Sequence, residues 1–207
     1  MHSHRRRNHG DQVTKIRLTR GTHRFFDQIV AAQAATVAFI VTVVARQRAD
    51  IFKGPLGGPI SQSCYTTDEE IRFNPLEPLD VISGTHTEVN LMIEPGGTRP
   101  SPYPDPTGVQ LLMGSLFEHA FITYFAKNEA AIRSRHGAKA RWPGVLNFGR
   151  IVRNSFAHGG TLNITDNIPG QWRGLNYSST VNGRRVLYND LSSGDLTLLM
   201  LEMDGAF

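Results

Sequence analysis

Apolar residues recur every three or four positions along several stretches of the chain, a spacing typical of amphipathic helices. The longest stretch predicts a helix over Thr107–Arg135, and an earlier one predicts a helix over Phe25–Asp50. A shorter helix is predicted to begin at Pro143, since proline is favoured in the first turn, and to end at Gly159 and Gly160. The apolar stripe of the longest helix, which we expect to be buried against another helix, comprises Leu112, Met113, Leu116, Phe117, Ala120, Phe121, Tyr124 and Phe125.

The pattern changes in the middle of the chain. Gly54–Pro106 holds nine of the eleven prolines and cannot form regular helix. Within it, Val89, Leu91 and Ile93 alternate with other residues as in a short strand. We interpret this segment as an insertion that is either ordered or a mobile flap.

The C-terminal part, 171–207, shows signals for a hairpin and a last helix. The dipeptide Asn182-Gly183 stands between two strand-like runs and predicts a hairpin turn. Ser192 or Ser193 is predicted to cap an amphipathic helix. The inward positions of that helix are Leu196, Leu199, Met200 and Met203.

Together these elements predict a mainly α fold, a helical bundle with a proline-rich insertion and a C-terminal β-hairpin plus helix. A chain of 207 residues with 40% hydrophobic residues has enough material for one well-buried core. We therefore expect a basic flexible arm over residues 1–24 and a single domain over residues 25–207.

The predicted arm concentrates positive charge, whereas the whole chain has a net charge of only +4. Such a segment could attract RNA or anionic lipid, or it could simply be a solvated, disordered terminus. The basic residues of the arm, set against the single acid Asp11, are Arg5, Arg6, Arg7, Lys15, Arg17, Arg20 and Arg24.

The apolar run Ile29–Ala45 follows these basic residues and raises the alternative of a membrane span. It is shorter than the roughly 20 apolar residues that a bilayer requires, and Gln33, Thr36 and Thr42 interrupt it. A central helix of a bundle or an oligomer interface is the simpler interpretation. We expect a cytoplasmic protein, and the single cysteine, Cys64, fits a reducing compartment.

Several common sites have no counterpart in the sequence. There is no Walker-type phosphate loop, no HExxH and no GxSxG motif. Histidines and the lone cysteine do not have metal-ligand spacing, so we expect neither a metal nor a cofactor.

One stretch carries candidate chemistry, RIVRNSFAHGGTL over Arg150–Leu162. Taking ~100° per residue around the helix, Asn154 and His158 share a face opposite the inward stripe, and Arg153 can reach the same region. Ile151 also points outward, so we expect a second subunit or the insertion to cover this face.

The three polar residues suit RNA cleavage. An imidazole can accept a proton from a ribose 2′-hydroxyl or donate one to the leaving 5′-oxygen, while a guanidinium can hold the phosphate. Asn154 could orient either group. The alternative is structural, because Arg153, Asn154 and His158 are common residue types at a helix end and glycine often follows one.

The motif RNSFAHG resembles the signature of the HEPN superfamily, an arginine followed after four to six residues by a histidine. The long helix before the motif and the glycine after the histidine are also similar. Many HEPN proteins are metal-independent endoribonucleases, often toxins or antiviral effectors, and they dimerise to form a composite cleft. The resemblance implies that Arg153, Asn154 and His158 are active-site residues, with Glu118 or His119 as weak candidates for an additional polar residue from the preceding helix.

Our leading hypothesis is a dimeric ribonuclease that leaves a 2′,3′-cyclic phosphate and a 5′-hydroxyl. It would act in defence or in a toxin–antitoxin pair, with RNA and an antitoxin or defence-system protein as partners. The alternative is a non-catalytic module that binds a nucleotide, RNA or protein through the same cleft. A third hypothesis is a membrane-attached protein that uses Arg5–Arg7 and the Ile29–Ala45 helix.

Overall fold

A computed structural model describes residues 13–47, 59–95 and 108–207 of the chain. Within these ranges the fold is mixed α/β, so the prediction of a mainly α bundle is wrong. The helices are α1 (Phe26–Gln47), α2 (Leu76–Ile82), α3 (Gly108–His136), α4 (Gly144–Ala157) and α5 (Ser193–Asp204). The strands are β1 (Thr14–Thr19), β2 (Ile60–Ser63), β3 (Glu69–Phe73), β4 (Glu88–Pro95), β5 (Gly170–Trp172) and β6 (Leu175–Tyr177).

The larger sheet is antiparallel, with strand order β1-β4-β3-β2. Leu18 of β1 pairs with Val89 of β4, and Ile71 of β3 pairs with Ile93 of β4. Side chains alternate across a strand, so one face of the sheet joins the core while the other carries polar residues. The buried face comprises Leu18, Ile71, Phe73, Val89, Leu91 and Ile93.

Two sequence predictions are corrected by this sheet. Thr14–Thr19 is an edge strand, so these residues are not part of a flexible arm; the basic cluster Arg5–Arg7 lies outside the described residues. The predicted insertion contributes three strands and α2, so it is ordered where it is described, and the expectation that it cannot form regular helix is wrong; its residues 54–58 and 96–106 lie outside the described residues. The strand predicted around Val89 is confirmed, because β4 buries its alternating apolar residues.

The helices pack around α3, which contacts α1, α4 and α5. Aromatic rings join them: Phe25 meets Tyr124 edge-to-face at 6.1 Å, and Phe121 meets Phe156 in the same way at 6.1 Å. The helices predicted from apolar spacing are thus confirmed. Leu112, expected inside, is 45% exposed. None of the helices in the described ranges has both the length and the apolar character that crossing a bilayer requires.

A hairpin is present in the C-terminal part, but not at the predicted turn. Strands β5 and β6 are joined by Arg173 and Gly174, whose φ angles of 43° and 82° fit a tight turn with two left-handed residues. The side chain of Asn182 instead accepts from the backbone nitrogen of Ile164 at 2.7 Å and donates to its carbonyl at 3.1 Å. Asn182 therefore fixes the segment that follows α4.

The last helix is tied to the sheet through its N-terminus. Ser192, one of the two serines predicted as the cap, caps α5, and with Asp195 it forms a reciprocal capping box. The Asp195 carboxylate, completely buried, also accepts hydrogen bonds from the backbone nitrogens of Tyr65 at 2.7 Å and Thr66 at 3.1 Å. One carboxylate thus joins α5 to the loop between β2 and β3.

Candidate active site

The motif residues lie in the last turn of α4. His158 is the residue that caps the helix, with φ −124° and ψ 35°, and Gly159 and Gly160 follow with φ angles of 87° and 82°. The backbone nitrogen of Gly160 donates to the carbonyl of Ser155 at 2.8 Å, which is the long hydrogen bond of a Schellman motif. The glycine stop predicted from sequence is confirmed, and it fixes where the histidine sits.

Arg153 and Asn154 are in direct contact. Nη1 of Arg153 donates to Oδ1 of Asn154 at 3.2 Å, and both residues are half-buried. Nε of Arg153 is buried and has no hydrogen-bond partner within the described part of the chain. No described aspartate or glutamate forms an ion pair with this guanidinium. Arg153 therefore has its orientation fixed by an amide while its charge stays uncompensated.

His158 is exposed, and its imidazole forms no hydrogen bond to any described residue. Only its backbone is engaged, with the nitrogen donating to the carbonyl of Ser155 at 3.0 Å. The structure thus joins Arg153 to Asn154, and it leaves the imidazole of His158 open to solvent at the end of the same helix.

Arg150, one turn earlier, has the opposite surroundings. Its side chain is 6% exposed and forms a two-pronged ion pair with Asp166, at 2.9 Å and 3.2 Å. It also donates to the carbonyl of Ile168 at 3.1 Å and to Oδ1 of Asn147 at 3.3 Å. Arg150 therefore holds residues 166 and 168, in the loop that follows α4, against the helix, and its side-chain donors already have partners.

The expectation for Ile151 is wrong. This residue is only 3% exposed. Ile151 and Asn154 line a small pocket together with residues 163–166. Ile151 is thus buried within a single copy of the chain, beside the loop that follows α4. Dimerisation through the motif face stays a prediction without this support.

The two weak candidates on α3 have different positions. One carboxylate oxygen of Glu118 lies 3.8 Å from where a Cβ atom would stand on Gly160, two residues beyond His158. His119 instead lines a groove between α1 and α3. Burial raises the pKa of Glu118, while the charge of Arg185 lowers it. Of the two, Glu118 is the residue near the end of the motif.

Other reactive groups have structural surroundings. Burial raises the pKa of the Cys64 thiol, and the charges of Asp195 and Glu69 raise it further, which disfavours the nucleophilic thiolate. Across the described residues, no three His, Cys, Asp or Glu side chains come together in a way that could hold a metal ion.

The geometry around α4 combines an uncompensated guanidinium, an amide and an accessible imidazole. A guanidinium of this kind can bind phosphate oxygens, and the exposed imidazole can exchange protons with a bound ligand. Comparisons with protein-family models, with curated proteins and with solved structures gave no match to this chain. Function must therefore be argued from the site itself.

Proposed function

We propose that this protein is a metal-independent endoribonuclease of the HEPN type, with Arg153, Asn154 and His158 as its active-site residues. The observation that carries the proposal is the contrast between two arginines of one helix. Arg150 is ion-paired and buried, whereas Arg153 is oriented by Asn154 and has no carboxylate partner among the described residues. A half-buried cation without a partner suits an anionic ligand.

In the proposed reaction the ribose 2′-oxygen attacks the adjacent phosphorus and the bond from phosphorus to the 5′-oxygen breaks. One proton leaves the 2′-hydroxyl and one joins the 5′-oxygen, so the products are a 2′,3′-cyclic phosphate and a 5′-hydroxyl. Arg153 stabilises the charge that develops on the non-bridging oxygens, and Asn154 keeps the guanidinium aligned. His158 transfers one of the two protons.

The second proton requires another group. Glu118 is one candidate, because burial raises its pKa and thereby favours a carboxyl that can hold a proton. A second His158, from another copy of the chain, is the candidate that the HEPN resemblance implies. Loss of cleavage in a Glu118→Gln protein would favour the first, and full cleavage by it would favour the second.

The test is incubation of purified protein with total RNA in excess EDTA, followed by end-group analysis of the fragments. We expect wild-type protein to cleave and both Arg153→Ala and His158→Ala to lose at least about a hundredfold in rate. Arg135→Ala and His86→Ala are matched controls, because both residues are exposed and lie on other elements. Both controls should cleave at the wild-type rate.

Full cleavage by His158→Ala would contradict the proposal. Wild-type protein that binds RNA through Arg153 without cleaving it would point to the alternative, a non-catalytic binding module. In that case Arg153→Ala should abolish binding and His158→Ala should change it little, since binding depends mainly on the cation.

We extend the proposal to a cytoplasmic toxin or antiviral effector, the roles that the HEPN resemblance implies. Induced expression in bacteria should then arrest growth for the wild-type protein and not for His158→Ala at equal abundance. Equal growth inhibition by both proteins would contradict an RNA-cleaving effector.

A further inference from the structure

A polar pocket of about 130 Å³ adjoins the motif, between α4 and the loop that returns after it. Asn154 belongs to both the pocket and the motif, since it lines the pocket and accepts the hydrogen bond from Arg153. A ligand in the pocket would therefore lie one side chain away from the proposed phosphate-binding arginine. The lining residues are Lys139, Arg150, Ile151, Asn154, Asn163, Ile164, Thr165 and Asp166.

The pocket wall is rigidly built. Arg150, which is nearly fully buried, holds Asp166 with two parallel hydrogen bonds and also binds the carbonyl of Ile168. On the other side, Ile164 is fixed through its backbone by Asn182. A pocket whose walls are held in this way exists before a ligand arrives, which reduces the ordering cost of binding.

The pocket offers unpaired hydrogen-bond donors and a net positive charge to a ligand. Oδ1 of Asn154 accepts from Arg153, while its Nδ2 donates to no described residue and is available to a ligand. The ammonium of Lys139 has no acidic partner within the described ranges. The charge of Asp166 is already balanced by Arg150, so Lys139 leaves the pocket positive. Donors and an unbalanced cation favour a phosphate group.

We propose that this pocket binds an RNA phosphate that neighbours the one being cleaved, with Lys139 and the Asn154 amide as its ligands. The inference rests on the proposed function, since it treats Arg153 as the arginine at the scissile phosphate. It makes Lys139 a substrate-binding residue that touches no reacting atom. Asn154 lines the pocket and contacts Arg153, so it places the two phosphate contacts next to each other.

The experiment measures binding of a short single-stranded RNA by fluorescence anisotropy over a salt series. All proteins carry His158→Ala, so that RNA is not consumed. Adding Lys139→Ala should weaken binding about tenfold near 0.1 M salt and reduce the slope of log K against log salt by about 0.7, the loss of one phosphate contact. Arg141→Ala removes an exposed cation from the same short 3₁₀ turn outside the pocket, and should change neither quantity by more than about a tenth of these effects.

A second measurement uses cleavage by proteins with His158 intact. Lys139→Ala should raise KM several-fold and leave kcat within about twofold of wild type, because the residue binds substrate without taking part in proton transfer. An equal fall in kcat would overturn this assignment. Circular dichroism should show an unchanged fold, since it is the Lys139 carbonyl, and not its side chain, that accepts a bond from Asn147.

The outcomes separate this inference from the function. RNA binding with an unchanged salt slope in Lys139→Ala would overturn the pocket assignment even if wild-type protein cleaves RNA. A reduced slope without any cleavage would support the pocket and contradict the ribonuclease. Inorganic phosphate should compete with RNA less effectively in the Lys139→Ala protein; competition by phosphate combined with an unchanged RNA slope would mean a free-phosphate site and overturn the proposal.

Discussion

Arg150 and Arg153 lie about one helical turn apart, but their side chains have different hydrogen-bond partners. The first is nearly fully buried and supplies its donors to Asp166, Ile168 and Asn147. The second donates a side-chain hydrogen bond only to Asn154 among the described residues. The buried ion pair of Arg150 with Asp166 depends on the planar shape of the guanidinium as well as on its charge. Substitution by lysine should therefore lower stability at position 150 and lower RNA cleavage at position 153.

Arg150→Lys should therefore lower the free energy of unfolding by about 2 kcal/mol, because the two-pronged pair with Asp166 is lost from a buried position. Arg153→Lys should change stability by less than about 0.5 kcal/mol and still abolish most RNA cleavage. Urea denaturation measures the stability of each variant, and the cleavage assay measures its activity. A stable Arg150→Lys protein, or an active Arg153→Lys protein, would contradict the division of roles.

Glu118 shows how a proposed site residue can cost stability. Burial raises its pKa from an ordinary value of 4.5, so the folded protein binds the proton more tightly than the unfolded chain does. The free energy of unfolding must then fall as the pH rises from 4.5 through the raised folded value. Ionisation of Glu118 in the folded protein is therefore destabilising.

Glu118→Gln should accordingly raise Tm at pH 7, and its advantage over wild type should disappear as the pH falls below about 4. Thermal unfolding from pH 3 to pH 8 measures this. Glu129→Gln, a control on the same helix, loses an ion pair with Arg133 and should gain nothing. A lower Tm for Glu118→Gln at pH 7 would mean that its attraction to Arg185 outweighs the cost of burial.

At the scale of elements, α4 is held in place by a close contact with β5. A Cβ atom on Gly170 would stand 2.5 Å from the Cα and the nitrogen of Phe148, both backbone atoms that cannot turn aside. The aromatic rings of Phe148 and Tyr177 stack next to this contact at 4.6 Å. The hairpin thus sets the depth at which the motif helix lies.

Gly170→Ala should destabilise the protein by about 3 kcal/mol or more, since the two backbones must separate. Gly108→Ala, at the start of α3 where nothing lies within 4 Å of a Cβ atom, should be neutral or slightly stabilising. Chemical denaturation of both variants gives the comparison. Similar stabilities would mean that β5 can shift away from α4 at little cost.

The sequence predicted the ends of single elements correctly where those ends depend on neighbouring residues in the chain. The serines at 192 and 193 predict the start of α5, and the paired glycines predict the end of α4. The surroundings of Ile151 depend on where a distant loop returns. Asn182-Gly183 has the sequence of a hairpin turn, yet the Asn182 side chain instead holds Ile164. Long-range contacts of this kind leave no periodic signal.

The same distinction between local and long-range information applies to the candidate site. Helix geometry alone predicts that Asn154 and His158 share a face and that Arg153 lies to one side, within reach of the same region. The ion pair that occupies Arg150 cannot, since Asp166 lies on an irregular loop. The position of Glu118 near Gly160 likewise depends on how α3 packs against α4.

At the scale of the whole molecule, β4 was the one strand of the larger sheet predicted from sequence, and β1 and β3 were missed because they are short and rich in charged residues. Strand β1 reads Thr14–Thr19 as TKIRLT, in which the basic residues Lys15 and Arg17 mask the alternation of Ile16 and Leu18. The strand is nonetheless integral, because Leu18 is completely buried and belongs to the same core as the helices. The sheet and the helical layer should therefore unfold together.

The substitution Leu18→Ala tests whether the sheet and the helical layer unfold together. It removes a buried side chain from an edge strand and should lower the free energy of unfolding by about 3 kcal/mol. The protein's two tryptophans report from the helical layer, since Trp142 packs against Phe125 and Trp172 against Phe148. If the fold is one cooperative unit, tryptophan fluorescence and far-ultraviolet circular dichroism should shift to the same lower denaturant midpoint.

The exposed Lys15 provides the control on the same strand, and Lys15→Ala should stay within about 0.5 kcal/mol of wild type. Direct links already cross from the sheet to the helical layer, because Asp195 holds the backbone of Tyr65 and Thr66. Damage to β1 should therefore reach the tryptophans through the common core and through these bonds. If Leu18→Ala moved only the dichroism and left the fluorescence midpoint unchanged, the sheet would be a separate folding unit, and the motif helix would be independent of it.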